Sequence, residues 1–331
     1  MPLATFNPVS IGPVRIELPV VLAALAGYTD LAYRRICRKL GSPFCATEVM
    51  LDSSLLAGRK LRHRLAATAP DDEPLAGQLL GSDPEVMAEA AASLAPEEYQ
   101  VIDLNFACPV RKAIRRKRGG FLMKRPEQVL EIIRRVKGAA PQPLTLKLRS
   151  SYSRDASDRE AFWQIARGAF DLGVAAICVH ARSVEALYSG AADWEFLAQV
   201  KAAFPDRVVI GSGDATSPAA ALRMIEQTGV DAVAAARGAL GNPWFFRQFA
   251  DLAAGREPYR PSLAEQRTIM EEHHALACDL HGAVRGPKIM RKFGIKYARN
   301  HPHARELRVA FVAVKSTTDW NAVLDRYYQP T

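Results

Sequence analysis

The chain has 331 residues, of which 49% are hydrophobic and 24% are charged. This composition is ordinary for a folded globular protein and argues against disorder, and the length exceeds that of one average domain. The net charge is +9 at pH 7, with 44 basic residues against 35 acidic ones. An excess of this size favours an anionic partner such as nucleic acid.

The five cysteines are dispersed and form no CxxC pair (Cys37, Cys45, Cys108, Cys178 and Cys278). An odd, scattered set is typical of reduced thiols in a cytoplasmic protein. The first residues show no basic segment followed by an apolar core, and the longest apolar run, LPVVLAALAGY, is about half of the ~20 residues that span a membrane. We therefore expect a cytoplasmic protein without a membrane segment. No pattern reports on oligomeric state, and a monomer is the working expectation.

In chain order, FNPVSIGPVRIELP predicts a small hairpin that closes the bottom of a barrel. Short β-type runs then alternate with helical patterns eight times. The predicted strands are residues 20–26, 44–49, 75–80, 101–106, 144–149, 176–181, 208–212 and 232–236. Three helical segments, SDPEVMAEAAASL, RPEQVLEIIRRVKG and TSPAAALRMIEQTG, carry a proline near their start. Eight such units predict an α/β fold, a (β/α)8 TIM barrel over residues 1–250, with a doubly wound sheet as the alternative.

Beyond the barrel, the sequence from about residue 260 has long helical patterns and no clear strand. The pattern predicts a smaller all-helical C-terminal domain over residues 260–331. This segment is also strongly basic, and Lys288, Lys292 and Lys296 recur every fourth residue, as on one helix face. Together with Arg291 they predict contacts to a polyanion.

Three predicted strands alternate between apolar residues and polar residues that would point into the barrel. The inward sets are Thr145, Lys147 and Arg149, then Asp103 and Asn105, and then Cys178, His180 and Arg182. Burying the Lys147 ammonium alone would be costly, so it needs an anionic neighbour. Either the Asp103 carboxylate or a bound anionic cofactor fits.

The loops after the seventh and eighth strands, GSGDATSP and ARGALGNPW, combine glycines with a helix start. In a barrel of this class these loops often form a phosphate site. The third glycine of the dinucleotide fingerprint is missing, which argues against a Rossmann site.

After the fourth strand the sequence NFACPVRKAIRRKRGG places Cys108 next to a proline and among many cations. Cations such as Arg111 and Lys112 favour the thiolate and make a thiol useful in proton transfer. Asn105, two residues before Ala107, can orient a ring by hydrogen bonds. We expect no metal, because Cys108 has no partner at ligand spacing and EEHHALACDLH lacks the HExxH order.

At these residues the chain resembles the bacterial, FMN-dependent tRNA-dihydrouridine synthases, over nearly its whole length. NFACP is similar to the family's asparagine-x-glycine-cysteine-proline signature. LAALAGYTDLAYRRICRKLG, TEVM, LAGQLLGSDPEVMAEAA, LTLKLR, VHARS, GDATSP and the tail from HGAVRGPK follow in family order. The resemblance implies an FMN-binding catalytic barrel followed by a helical RNA-binding domain.

The resemblance also implies residue roles. FMN contacts are expected from the backbone of Ala24 and Leu25 and from Gln78, Lys147 and His180, and contacts to its phosphate from Ser212, Gly213, Ala236 and Arg237. Cys108 is expected to donate a proton to uracil. Substrate or RNA contacts are expected from Asn105, Arg111, Lys112, Arg182, Lys288, Arg291, Lys292 and Lys296. The implied reaction reduces the 5,6 double bond of uridines in tRNA, with NADPH reducing FMN first.

The chain departs from the family pattern at Ala107, at Ala24-Leu25, at Ser212 and at Ala236. Two other functions are therefore open: a small-molecule FMN oxidoreductase of the dihydroorotate-dehydrogenase kind, and a non-catalytic RNA-binding protein. The sequence leaves open which uridine is reduced, whether the RNA is transfer or ribosomal, and whether the reductant is NADPH or NADH.

Overall fold

The computed structural model describes residues 6–57 and 66–329. It begins with two antiparallel strands, β1 (Val9–Ile11) and β2 (Val14–Ile16). Ile11 and Ile16 are fully buried and belong to the same apolar cluster as Val21 and Ile210 from barrel strands. The hairpin therefore closes the bottom of the barrel, as its sequence predicts.

Nine further strands form one parallel sheet. They are β3 (Val20–Leu22), β4 (Cys45–Ala46), β5 (Met50–Leu51), β6 (Leu75–Leu80), β7 (Val101–Asn105), β8 (Leu144–Arg149), β9 (Ala176–His180), β10 (Val208–Ser212) and β11 (Ala232–Ala235). β11 pairs with β3, and β4 pairs with β6, so eight strands close into a barrel and β5 adds a short pairing to β6. The TIM barrel is confirmed, and the doubly wound alternative is wrong because that sheet is open.

The barrel is surrounded by helices that follow its strands. They are α1 (Leu31–Lys39), α2 (Asp52–Leu56), α3 (Pro84–Ala92), α4 (Arg111–Arg115), α5 (Pro126–Ala139), α6 (Ala156–Asp171), α7 (Trp194–Ala203), α8 (Pro218–Thr228) and α9 (Phe245–Ala253). α3 and α8 start as predicted, with proline in the first turn and the side chains of Asp83 and Ser217 accepting backbone N–H groups.

The predicted inward and outward faces of the strands are also observed. Leu144, Leu146 and Leu148 are buried in the layer between strands and helices. Cys178 belongs to the interior cluster, and Lys147 lies beside it in register. This period-two alternation carries the polar inward residues of neighbouring strands to one end of the barrel.

The C-terminal region is helical throughout, as predicted, with α10 (Leu263–His281), α11 (Gly286–Tyr297), α12 (Ala304–Ala313) and α13 (Thr317–Tyr327). It shares an apolar core with the barrel, because the Phe293 ring packs 5.1 Å from that of Tyr33 on α1. The domain limits at residues 250 and 260 stay a prediction, and residues 1–5 and 330–331 of the proposed domains lie outside the described residues. In the described ranges, every helix is too short or too polar to cross a bilayer.

A buried ion pair fixes α1 against the segment before β6. Arg34 and Asp72 are 2% and 1% exposed, with Arg34 Nη2 2.6 Å from Asp72 Oδ2. Arg34 also donates to the carbonyl oxygens of Thr29 and Ala67. Removing one partner of such a pair leaves a buried charge without compensation.

We therefore expect Arg34→Leu to lower the free energy of unfolding by about 3–5 kcal/mol. The matched control is Arg35→Leu, because the neighbouring Arg35–Asp71 pair is exposed and pairs of that kind contribute about 1 kcal/mol or less. Urea denaturation of both variants measures the difference. Equal losses in the two variants would contradict the interpretation.

Candidate active site

A cavity of about 310 Å³ opens at the carboxyl ends of the barrel strands, where active sites of this fold lie. It is lined by every residue predicted to bind the cofactor, together with Asn105 and Cys108: Ala24, Leu25, Gln78, Lys147, His180, Ser212, Gly213, Ala236 and Arg237. The fold thus brings together side chains from the first strand to the last. Their roles in binding a cofactor stay predictions.

Lys147 is the unusual group in the cavity wall. Its Nζ atom is buried and meets no oxygen or nitrogen acceptor among the residues that the structure describes. Its neighbour in register is the Cys178 thiol, whose pKa is raised by burial and partly lowered again by Lys147. The Asp103 carboxylate, expected as one possible partner, instead accepts hydrogen bonds from Thr145 Oγ1 and Gln78 Nε2, both at 2.6 Å. In the described part of the chain the two form no ion pair within 4 Å, so Lys147 keeps its capacity to bind an anion.

His180 lies in the same positive surroundings. Burial, reinforced by the charges of Lys147, Arg149, Arg182 and Arg237, lowers the pKa of His180 to about 2. The imidazole is therefore neutral at physiological pH, and its buried Nδ1 is unpaired within residues 6–57 and 66–329. A neutral ring among several cations suits a site for an anionic, hydrogen-bonding ligand.

The loops after β10 and β11 form the other side of the cavity. Gly213 has φ +119°, and a Cβ added there would lie 2.8 Å from Ala192 Cβ, so only glycine fits without strain. Next to it, Asp214 accepts a hydrogen bond from Arg182 Nη2 at 2.7 Å. Burial raises the pKa of Asp214, but the bonds from Arg182 and the Ala192 N–H outweigh it and lower the pKa overall.

Arg182 itself is buried, and its guanidinium also donates to the carbonyl oxygen of Gly190. It lies inside the rim and ties the loop after β9 to the loop after β10. This placement suits a structural role rather than the RNA contact expected from sequence.

Cys108 is half-buried at the cavity wall, just beyond β7. Asn105 Oδ1 accepts the backbone N–H groups of Ala107 and Cys108, both at 3.0 Å. The Gly120 N–H donates to Cys108 O at 2.9 Å, and a Cβ added at Gly119 would lie 2.8 Å from Cys108 Cβ. The loop is therefore held closely on both sides, with Cys108 in the wall of the cavity.

Two further cavity residues were not predicted as site residues. Arg149 is buried and donates to the carbonyl oxygens of Ser183 and Leu187. The exposed Tyr188 ring lies between two cations, 5.6 Å from the Arg149 guanidinium and 4.7 Å from that of Arg237. Arg149 could have been found from its parity with Lys147, whereas Tyr188 lies in a loop that has no periodic signal.

The predicted RNA-binding cations occupy two surfaces. Arg111 and Lys112 are exposed on α4, and Lys288 is exposed on α11. Lys292 is half-buried, with Nζ 4.9 Å from the centre of the Tyr28 ring, and burial lowers its pKa. Arg291 and Lys296 are also half-buried, the latter with its backbone against Gly241.

Comparison with known proteins gives a consistent result. A family model described as dihydrouridine synthase (Dus) matches residues 21–329. A tRNA-dihydrouridine synthase B of Xanthomonas axonopodis pv. citri is 36% identical over 96% of this chain and 95% of its own length. A protein of the same name from Pseudomonas aeruginosa is 36% identical over 93% and 92%. A probable tRNA-dihydrouridine synthase of Rhodobacter capsulatus is 34% identical over 86% and 87%.

Among solved structures, histamine dehydrogenase from Rhizobium sp. 4-9 matches with a TM-score of 0.59 at 15% identity. The match covers 82% of this chain and 51% of that one. A 2-naphthoyl-CoA reductase matches with a TM-score of 0.58 at 13% identity, over 77% and 53%. The chain spans about half the length of these structures, and the likeness concerns the fold alone.

The low pKa of His180, about 2, has a consequence for stability. Below about pH 6.5 the unfolded chain binds a proton at this histidine and the folded protein does not, so acid lowers the free energy of unfolding. We expect His180→Asn to make the slope of that free energy shallower by about 1.4 kcal/mol per pH unit below about pH 6. Chemical denaturation between pH 8 and 5 measures the slope, and a variant with the wild-type slope would contradict a buried, neutral His180.

Proposed function

The chain belongs to the dihydrouridine synthase family, and we propose that it reduces uridines of tRNA to 5,6-dihydrouridine, with bound FMN and with NADPH as reductant. The observation that carries the proposal is the cavity that Cys108 lines together with Lys147, whose buried ammonium meets no oxygen or nitrogen acceptor in the described part of the chain. In a protein that had lost its anionic ligand, a buried cation of this kind would only destabilise the fold. This argues against the non-catalytic alternative.

The residues of the cavity fit FMN. Lys147, His180 and Gln78 offer a cation and neutral hydrogen-bonding groups to the ring system, and the loops with Gly213 and Arg237 offer backbone and a cation to the phosphate. One expected contact needs revision, because the Leu25 N–H donates to Thr29 Oγ1 at 2.9 Å. Leu25 therefore contributes its side chain and packing.

When bound and reduced, FMN would supply the hydride that goes to carbon 6 of the uracil ring. The Cys108 thiol would donate the proton to carbon 5, so that one hydride and one proton add across the double bond. Asn105 holds the Cys108 backbone and has an N–H group left to orient the ring. Lys147 would stabilise negative charge near the reduced cofactor.

RNA would reach the cavity between two basic surfaces. α4 follows β7, the fourth strand around the barrel, while Lys292 lies beside Gly27 after β3, the first. Arg299, just after α11, donates to the carbonyl oxygen of Arg237 after β11, the eighth. The cations of α4 and those of the helical region therefore lie on opposite sides of the mouth. A strand that contacts both would cross it, with the target uridine flipped out of its stack.

The direct test is reduction of unmodified tRNA, transcribed in vitro, by purified protein with NADPH, read by mass spectrometry of dihydrouridine. We expect a yellow protein that forms dihydrouridine. We expect Cys108→Ala to keep its FMN and to lose about 10²–10⁴-fold in rate, because proton donation of this kind contributes about that much.

The control is Cys278→Ala, a cysteine in α10 outside the cavity, which should keep the wild-type rate. A colourless protein that FMN cannot reconstitute would overturn the proposal. So would a Cys108→Ala variant that is as fast as the wild type.

The role of α4 predicts a change in salt dependence. We expect the double variant Arg111→Ala/Lys112→Ala to bind tRNA more weakly and to lower the slope of log K against log salt by about two, since each lost phosphate contact lowers it by about one. Filter binding between 50 and 300 mM salt measures the slope. Arg223→Ala, an exposed arginine of α8 on the outer wall, is the control. A slope unchanged in the double variant would place the RNA elsewhere.

A further inference from the structure

A chain of hydrogen bonds runs through the barrel interior and ends at the Cys108 backbone. Thr145 Oγ1 and Gln78 Nε2 donate to Asp103, each at 2.6 Å. Asn105 Nδ2 donates to Gln78 Oε1 at 2.7 Å, and Asn105 Oδ1 accepts the Cys108 N–H at 3.0 Å. Asp103, at the inner end, is 7% exposed and does not line the outer cavity that holds Cys108.

The direction of this chain is determined at both ends. The N–H groups of Ala107 and Cys108 can only donate, so the atom of Asn105 that faces them must be oxygen. The Asn105 nitrogen then faces Gln78, which must present its own oxygen. The Gln78 nitrogen is left for Asp103, whose carboxylate accepts it. The positions of oxygen and nitrogen in the side-chain amides of Asn105 and Gln78 therefore follow from their hydrogen-bond partners alone.

This direction decides what Asn105 offers to a ligand. Its oxygen accepts two backbone N–H groups, which uses both lone pairs, and one N–H of its nitrogen goes to Gln78. The remaining group is a single N–H donor at the cavity wall. It suits a carbonyl oxygen of a pyrimidine ring.

We propose that Asp103 is a positioning residue: as the hydrogen-bond acceptor at the end of this chain, it fixes the amides of Gln78 and Asn105 and, through them, the Cys108 loop. The proposal rests on the function proposed above and extends it to the residue that holds the proton donor and the ring-orienting amide in place. Asp103 acts through its neighbours and need not touch the substrate.

The competing account makes Asp103 a counter-ion of Lys147. The two residues form no ion pair within 4 Å in the described part of the chain, and Lys147 Nζ stays unpaired while both carboxylate oxygens are used. The two roles, hydrogen-bond acceptor and counter-charge, predict different rates for the asparagine and leucine variants of Asp103. An asparagine at position 103 removes the charge and keeps one oxygen that can accept the Gln78 N–H. Its new amide N–H can be accepted by Thr145, because a hydroxyl can turn to accept instead of donate. Leucine removes both the charge and the acceptor.

The test separates the two half-reactions. In Asp103→Leu we expect reoxidation by unmodified tRNA to slow by about 10²-fold, as for a small misplacement of reacting groups. Reduction by NADPH, which does not involve Cys108, should slow by about tenfold or less, through the loss of the Gln78 contact. Asp103→Asn should recover the tRNA step to within about fivefold. In protein freed of FMN, iodoacetamide should alkylate Cys108 of Asp103→Leu at a rate about threefold or more above wild type, because the loop is less restrained.

A second pair of variants avoids a leucine in the interior. Thr145→Val alone keeps Asp103 as acceptor and should slow the tRNA step by less than about fivefold. Combined with Asp103→Asn, it leaves the new amide N–H without an acceptor in the interior, so the oxygen that accepts the Gln78 N–H is held less firmly. We expect the double variant to slow by more than the product of the two single effects.

Asp103→Asn as slow as Asp103→Leu would assign the residue to charge compensation and overturn the proposal. A wild-type rate in Asp103→Leu, or simple additivity in the double variant, would also overturn it. If wild-type protein forms no dihydrouridine, the proposed function fails first, and the alkylation rates of the FMN-free variants still report on the loop.

Discussion

The arrangement of the barrel mouth depends on the buried ammonium of Lys147, which meets no oxygen or nitrogen acceptor within residues 6–57 and 66–329. An isolated charge in an interior is costly, and most proteins place a carboxylate beside it. Here the interior carboxylate of Asp103 is occupied by two hydrogen bonds from other partners. Burial, reinforced by the surrounding positive charges, keeps His180 neutral. A barrel of this kind gains stability when an anionic ligand binds, since the ligand supplies the missing partner.

The helical region is attached to the loops that line the cavity. His281 on α10 is 2.8 Å from Asp30. Burial raises the pKa of Asp30, but the hydrogen bond from His281 and other contacts lower that pKa by more. Arg299 donates to the carbonyl oxygen of Leu240, next to the loop with Arg237. The proposed RNA-binding surface and the proposed cofactor loops therefore share contacts. A displacement of the helical region would disturb the first and eighth loops together.

The sequence predicted the site best in strands whose residues alternate between the buried layer under the helices and the barrel interior. Alternation in β7, β8 and β9 predicted which residues face the interior, because a strand offers only two faces. It was less informative for the helical region, where Lys292, predicted on an RNA-facing stripe, lies half-buried against Tyr28. A fourfold repeat of lysines fixes a helix face but not what that face contacts. Arg182 and Tyr188 show the same limit, since loop positions depend on tertiary contacts that no local pattern encodes.

The departures from the family signature fall where the backbone can accept them. Among the described residues, positive φ outside glycine occurs at Lys117, Leu187 and Asp214, so Ala107 and Ala236 adopt conformations open to any L-residue. Where the fold does require glycine, the chain keeps it: Gly119, with φ +58°, lies against Cys108, and Gly213, with φ +119°, lies beside His180. Ala107 and Ala236 stand where the family pattern has glycine, and their methyl groups leave the backbone N–H and C=O groups in place. The substitutions are thus compatible with a working site, because the strained positions that shape its two loops are intact.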